Sequence, residues 1–238
     1  MLSSGDDVAD PNQPSLLTGV VRARPRVTAA VDLPFKAPPP EDRAAALETI
    51  RLDLGACVRC RLSEGRTHLM FGHGSPCAEV MFVGEFPGPE ADRSGVMLQG
   101  QSGELLARII ETMLKLRPED VYVTHAVKCF PPGGREPQPD EFETCSPVLA
   151  SQIEVIRPKV IVALGQTASH LLLRTHVPLV KLRGHWFSHR GIPVMPTFAP
   201  EALLTDVAKK RPVRDDMLMV RSKLEELSLE PRALNLKA

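Results

Sequence analysis

The stretch Val80-Met81-Phe82-Val83-Gly84-Glu85-Phe86-Pro87-Gly88-Pro89-Glu90-Ala91-Asp92 decides how the chain is read. Its first four residues are apolar without a break, the pattern of a short strand covered on both faces of a sheet. Gly84, Pro87, Gly88 and Pro89 then forbid regular structure and open a loop. Open α/β sheets hold ligands at the carboxyl ends of their strands, and Glu85 and Asp92 place carboxylates there. Glu85 is the candidate base, although a solvated acid in an ordinary strand-to-helix turn would use the same letters. The spacing is not the G-x-G-x-x-G of a dinucleotide-binding turn, which disfavours a nicotinamide enzyme.

Outward from this strand, three further runs are β-rich: Val121 to Val127, Lys159 to Gly165, and Ile192 to Phe198. Pro193 and Pro196 predict an edge or irregular position for the last of them, and Trp186 to Gly191 before it reads as a hairpin. Helical spacing fills the intervals. Leu47, Ile50 and Leu54 share a face, with Glu41 and Asp42 in the first turn. Ser102 is placed to cap a helix carrying Leu105, Leu106, Ile109, Ile110, Met113 and Leu114. Ser146 and Pro147 would begin another with Leu149, Ile153 and Ile156, Gln166 to Leu173 a third, and Val213, Met217, Val220, Leu224 and Leu227 face inward from the last. The alternation predicts an α/β fold with a mostly parallel central sheet of about four strands and helices on both faces. In such a sheet Gly84-Glu85, Thr124-His125, Gly165-Gln166 and Phe198-Ala199 all emerge at one edge and should line a single cleft.

Residues 1 to about 40 are rich in Pro, Asp and Ala and read as a flexible arm; 41–229 is the expected folded domain and 230–238 a tail. Twenty-nine basic residues balance 29 acidic ones, so no global field advertises nucleic acid, though a local groove could carry one. Lys181, Arg183, His185, His189 and Arg190, and then Lys209, Lys210 and Arg211, are candidate phosphate contacts or simply solvated surface. No run approaches the ~20 apolar residues of a membrane span, and the first residues lack the order of a signal peptide. A cytoplasmic protein without membrane attachment is expected, with reduced cysteines unless they bind something.

Four of the five cysteines fall into two pairs, Cys57-x2-Cys60 and Cys129-x15-Cys145. Four thiolates can hold zinc tetrahedrally or ligate a [4Fe-4S] cluster, and spacing alone leaves both open beside four buried free thiols.

Taken in order, these segments resemble the family 4 uracil-DNA glycosylases, the iron-sulfur branch of the uracil-DNA glycosylase superfamily. The resemblance runs from about Ala45 to Glu226. It rests on the first Cys pair, Gly84-Glu85-x-Pro87-Gly88, Gly95 to Gly103, Lys128-Cys129-x-Pro131-Pro132-Gly133, Cys145, Arg157 to Gly165 and Pro196-Thr197-Phe198. It implies that Cys57, Cys60, Cys129 and Cys145 hold a [4Fe-4S] cluster, outweighing zinc, with a structural and DNA-orienting task. It also implies hydrolysis of the N-glycosidic bond of a damaged base in DNA, flipped out or presented on a single strand, by a monomer. Glu85 matches the family's water-activating acid, and Gly84, Pro87, Gly88, Leu98, His125 and Ala199 fall at base-pocket positions.

Three of those positions depart from the family's pattern. Leu98 stands where a Phe usually stacks on the base, giving up an aromatic preference of about 1–3 kcal/mol. His125 stands where a side-chain amide usually reads the base edge; a neutral imidazole cannot reproduce the paired amide contact. Ala199 puts a methyl where the second motif usually begins with His, and losing one such donor typically costs about 10²–10³ in rate. If the strand ends share one cleft, His125 is placed to act in that donor's stead. The expected activity is therefore a glycosylase acting weakly on uracil or on another deaminated base such as hypoxanthine or xanthine; the alternative is an iron-sulfur module that binds DNA without cleaving it.

Overall fold

Val80 and Phe82 point into one apolar cluster while Met81 and Val83 point into another, and all four are fully buried. That is why the run carries no polar alternation: both faces of its strand are covered. The computed structural model describes residues 38–229; the expected arm up to residue 37 and the tail from residue 230 lie outside them. In chain order the elements are α1 (Arg43–Leu54), β1 (His73–Gly74), β2 (Val80–Gly84), α2 (Pro89–Ser94), α3 (Gly100–Ile109) and β3 (Tyr122–His125). There follow α4 (Pro139–Ile156), β4 (Val160–Leu164), α5 (Gln166–Leu173), α6 (Leu179–Leu182), β5 (Phe187–His189), β6 (Ile192–Thr197), α7 (Pro200–Thr205) and α8 (Lys210–Leu229).

The sheet has six strands in the order β1-β3-β2-β4-β6-β5. The four central strands are parallel, as the alternation predicts, and short antiparallel strands close both edges. Side chains of α3 and α8, among them Leu106, Ile109, Met217 and Val220, cover one face. Those of α1, α4 and α5, including Leu47, Leu149, Ile153 and Leu172, cover the other. From β2 the chain moves to one neighbour, β3, and then returns to the other, β4. The topological switch point therefore lies between β2 and β4, where a crevice opens outside the strand ends.

The structure corrects several local expectations. β6 is interior, not an edge, because its hairpin partner β5 covers it. Pro193 precedes the register with β4, which starts at Val194, and Pro196 follows the register with β5, which ends at the same residue. Each missing N–H thus falls where the neighbouring strand is not paired. The helix expected from Ser102 starts at Gly100, and a π-helical turn over Ile110–Leu114 extends it to a left-handed Lys115. The helix expected from Ser146 starts at Pro139, where Gln138 and Glu141 form a capping box, and it runs straight through Pro147. Proline there leaves the Glu143 carbonyl without its amide, and Ser146 Oγ donates to that carbonyl at 3.1 Å. No described helix is long and apolar enough to cross a membrane.

Candidate active site

All four strand ends do meet. Gly84, Glu85, Thr124, His125, Gly165, Gln166, Phe198 and Ala199 line one cleft of about 570 Å³. Glu85 follows β2 at the switch point and is held at both ends. Its carbonyl accepts from the Val127 amide at 3.1 Å, and its carboxylate Oε1 accepts from the Thr167 amide in the first turn of α5 at 2.7 Å. Gly165 makes that approach possible: with φ at +94°, a Cβ there would stand 2.6 Å from Glu85 Oε1. Burial pushes the Glu85 carboxyl above the ordinary glutamate range, against the pull of the Thr167 hydrogen bonds, and the charges of Glu136 and Glu201 push the same way. A half-buried carboxylate in a cleft lining, with one oxygen anchored, can orient and deprotonate a water.

Opposite stands His125, which pairs with Gly84 in the β2–β3 register. Its ring packs so closely that a Cβ on residue 84 would meet Cδ2 at 2.7 Å, so only glycine leaves room. The residue as a whole is half-buried, but Nδ1 is enclosed and has no hydrogen-bond partner. Burial first, and then the charge of Lys128, lower its pKa to about 3, so the imidazole is neutral at ordinary pH. Leu98 and Ala199 complete the rim, and Gly88 lies in the wall. Pro87 does not: it is buried behind the turn and shapes the loop without facing the cleft, a correction to its expected place among the binding residues. Asp92 also leaves the site. Its carboxylate is buried and accepts from the amides of Thr67 and His68 at 3.0–3.3 Å, tying α2 to the preceding loop.

Cleft residues that the sequence reading missed include Gln99, Ser102, Phe130 and Glu201. Beneath the floor lies a buried polar network it also missed. Lys128 Nζ donates to Thr124 Oγ1 at 2.6 Å, to Gln152 Oε1 at 2.7 Å and to the His125 carbonyl at 2.7 Å. Burial draws the Lys128 pKa down to about 7. At the end of β6, Thr197 Oγ1 donates to Asp216 at 2.6 Å and Arg183 donates to both Asp216 oxygens, a brace that fixes the strand just before Phe198-Ala199. Arg183 and Lys209 also flank the Phe198 ring, 5.9 and 5.5 Å from its centroid. Of the basic residues considered for phosphate, Arg183 is therefore engaged internally, Arg190 pairs with Glu154, Lys209 with Asp206, and His189 donates to the Leu172 carbonyl.

The two cysteine pairs, distant in sequence, come together in a separate lobe. Cys57, Cys60, Cys129 and Cys145 line one small cavity with Leu54, Leu69, Val127 and Val148. Arg66 donates to Cys129 Sγ at 3.4 Å and the Lys128 amide to Cys145 Sγ at 3.3 Å. Burial pushes the Cys129 thiol up to about 11 and raises that of Cys145. Among the described residues no three His, Cys, Asp or Glu side chains form a group able to hold a single metal ion.

A family model described as the uracil DNA glycosylase superfamily matches residues 71–218. The chain is 35% identical over 195 residues to a Type-4 uracil-DNA glycosylase of Sulfurisphaera tokodaii, covering 79% of this chain and 87% of that protein. Proteins of the same description from Saccharolobus solfataricus and Thermotoga maritima are 36% and 39% identical, over 79% and 68% of this chain and 90% and 85% of theirs.

Proposed function

Because the chain belongs to the uracil-DNA glycosylase superfamily, we propose that it hydrolyses the N-glycosidic bond of uracil, or of another deaminated base, in DNA. The observation that carries this reading is Glu85, a residue of the cleft lining anchored through one carboxylate oxygen to the first turn of α5. A base flipped out of its stack, or presented on a single strand, enters the cleft. Glu85 orients water toward the sugar carbon and takes its proton, and its charge steadies the oxocarbenium-like sugar as the bond to the base breaks. A raised pKa makes the carboxylate a stronger base toward that water. The departing base carries negative charge that needs hydrogen-bond donors, and Ala199 supplies none from its side chain.

The four thiols are read as ligands of a [4Fe-4S] cluster. A zinc ion would draw four sulfurs to about 2.3 Å from one point, whereas a cubane cluster takes one thiolate per iron and leaves the sulfurs further apart. What supports the cluster is the family resemblance together with four thiols lining one cavity, and the N–H donors on Cys129 and Cys145 suit sulfur that carries negative charge. When bound, the cluster supplies cross-linking of the lobe. Freshly purified protein is expected to be brown, with a broad visible band and iron on elemental analysis; colourless zinc protein would reverse the assignment. The protein is read as a cytoplasmic monomer, in keeping with five free cysteines.

The test is abasic-site formation on a single-stranded oligonucleotide bearing one uracil, with Glu85→Gln as control. Release that depends on Glu85 supports the reading. Binding without release on any deaminated base would favour a DNA-binding module, the alternative that Ala199 suggests.

A further inference from the structure

Ala199 leaves a departing anion short of a donor, and the charges around the cleft suit an anion no better. Among the described residues that line it, the charged side chains are two acids, Glu85 and Glu201, and no Lys or Arg joins them. Glu136 adds its negative field to that of Glu201 at Glu85. The cations nearby are engaged elsewhere: Lys128, beneath the floor, with Thr124, Gln152 and the His125 carbonyl, Arg183 with Asp216, and Lys209 with Asp206. Aromatic rings are concentrated here as well. The chain holds eight Phe, one Trp and one Tyr, yet Phe86, Phe130 and Phe198 all line this cleft. Phe198 already faces Arg183 and Lys209. Phe86 and Phe130 are half-buried and pack tilted at 52° with ring centroids 6.4 Å apart, and among the described residues no cation lies over either ring. Carboxylates and the faces of aromatic rings both attract positive charge.

We infer that the cleft also takes a purine made cationic by alkylation at N7 or N3, and releases it from DNA. Such a base carries a full positive charge, which the two acids and the Phe86–Phe130 pair are there to meet. The electron count differs from that of uracil. The C1′–N9 bond breaks, and its electron pair returns to the purine and cancels the charge. Water adds to C1′, its proton passing to Glu85 and on to solvent. The products are an abasic sugar and a neutral alkylated purine. A neutral leaving group needs no donor for developing negative charge, so the methyl of Ala199 does not slow this reaction as it slows the loss of a uracil anion. The size also fits: Leu98 and Ala199 are short side chains, and a cleft of about 570 Å³ admits a fused bicycle. Glu85 keeps the task described above, while Glu201, Phe86 and Phe130 favour the cation. The inference rests on the glycosylase reading for hydrolysis at C1′ and goes beyond it in substrate class.

Full-length protein is incubated with DNA treated with dimethyl sulfate, and freed 7-methylguanine and 3-methyladenine are measured by chromatography against a protein-free control. A single strand bearing one uracil is assayed in parallel. Release of the methylated purines should exceed the control about tenfold or more and fall about 10²-fold in Glu85→Gln. Glu201→Gln and Phe130→Leu should each lower that release about three- to tenfold, the loss of one contact to a cation. A second measurement needs no variant and no turnover. Strands with a 2′-fluoroarabinose sugar, which resist cleavage, carry either 7-methylguanine or its uncharged isostere 7-deaza-7-methylguanine, and fluorescence anisotropy should show the charged base bound about fivefold more tightly. Equal binding of the two, or no release above the protein-free control, would overturn the inference. The two readings fail separately. Uracil release without methylpurine release would end this inference and leave the glycosylase reading whole, whereas methylpurine release without uracil release would uphold it and end the claim on uracil; release of neither would end both.

Discussion

The two walls of the cleft are built differently. The β2–β4 wall holds Glu85 by its carbonyl, by one carboxylate oxygen and by the bare backbone of Gly165, so the acid has little freedom. The other lining comes from the ends of β3 and β6, which flank that pair on either side, and is fixed just as firmly from below, by Lys128 under His125 and by the Asp216 brace before Phe198. What it shows the cleft is Thr124, the His125 imidazole, Phe198 and the Ala199 methyl. On the proposed reading the acid and the residues that meet the base are held by separate sets of contacts, so a substitution in one set should leave the other in place.

Glu85→Gln should have the largest effect, a drop of about 10²- to 10⁴-fold in single-turnover excision of uracil. The same substitution should raise the thermal midpoint at neutral pH. A carboxyl whose folded pKa is raised contributes stability that is present in acid and lost as pH rises through that value, so the ionised acid costs stability that Gln does not. An unchanged excision rate would remove the acid from the chemistry. On the other wall, Ala199→His should recover a donor for the departing base and raise the rate about 10- to 100-fold, somewhat less than the loss usually seen on deleting one. No gain would mean that the β6 side has diverged beyond this residue.

Gly165→Ala should act at a smaller scale. Its Cβ would strike Glu85 Oε1 at a positive φ, so about a tenfold loss of rate should accompany a loss of about 1–3 kcal/mol in urea unfolding. Gly133→Ala is the control: its φ is also positive, at +67°, but nothing lies within 4 Å of the added Cβ, so stability should fall and rate should not. The smallest effect concerns His125. Its folded pKa of about 3 lies below the ordinary 6.5, so its contribution is present above 6.5 and fades as pH falls toward 3. His125→Gln should flatten that part of the stability profile; an unchanged profile would mean that the ring is not buried as neutral imidazole.

The central sheet was legible because β2 and β4 are covered on both faces and advertise it with unbroken apolar runs. Convergence of the four strand ends then follows from parallel topology, which is why Glu85, His125 and Ala199 could be placed in one cleft before their contacts were known. Helix starts were less legible. Pro147 reads as a first helical residue, but nothing local says that Ser146 will repair the bond it breaks. Asp92 was expected at the strand end beside Glu85, but proximity in sequence says nothing about which way a helix turns its residues. Lys128, Gln152 and the Arg183–Asp216 pair were invisible for a tertiary reason: each polar group is buried against partners 19 to 33 residues away or more, and no periodicity marks such pairs.

The internal engagement of Arg183, Arg190 and Lys209 bears on how this protein would find its substrate. Each phosphate gripped by a cation releases counterions, so affinity for a single strand falls with log salt at a slope of about −0.7 per contact. With zero formal net charge and these three cations engaged, Lys181, Lys210 and Arg211 are the contacts left among the candidates, which sets a slope of about −2 at most from this group. Encounter would then owe little to long-range attraction and much to short-range collision, leaving the fit of the base as the main source of residence time.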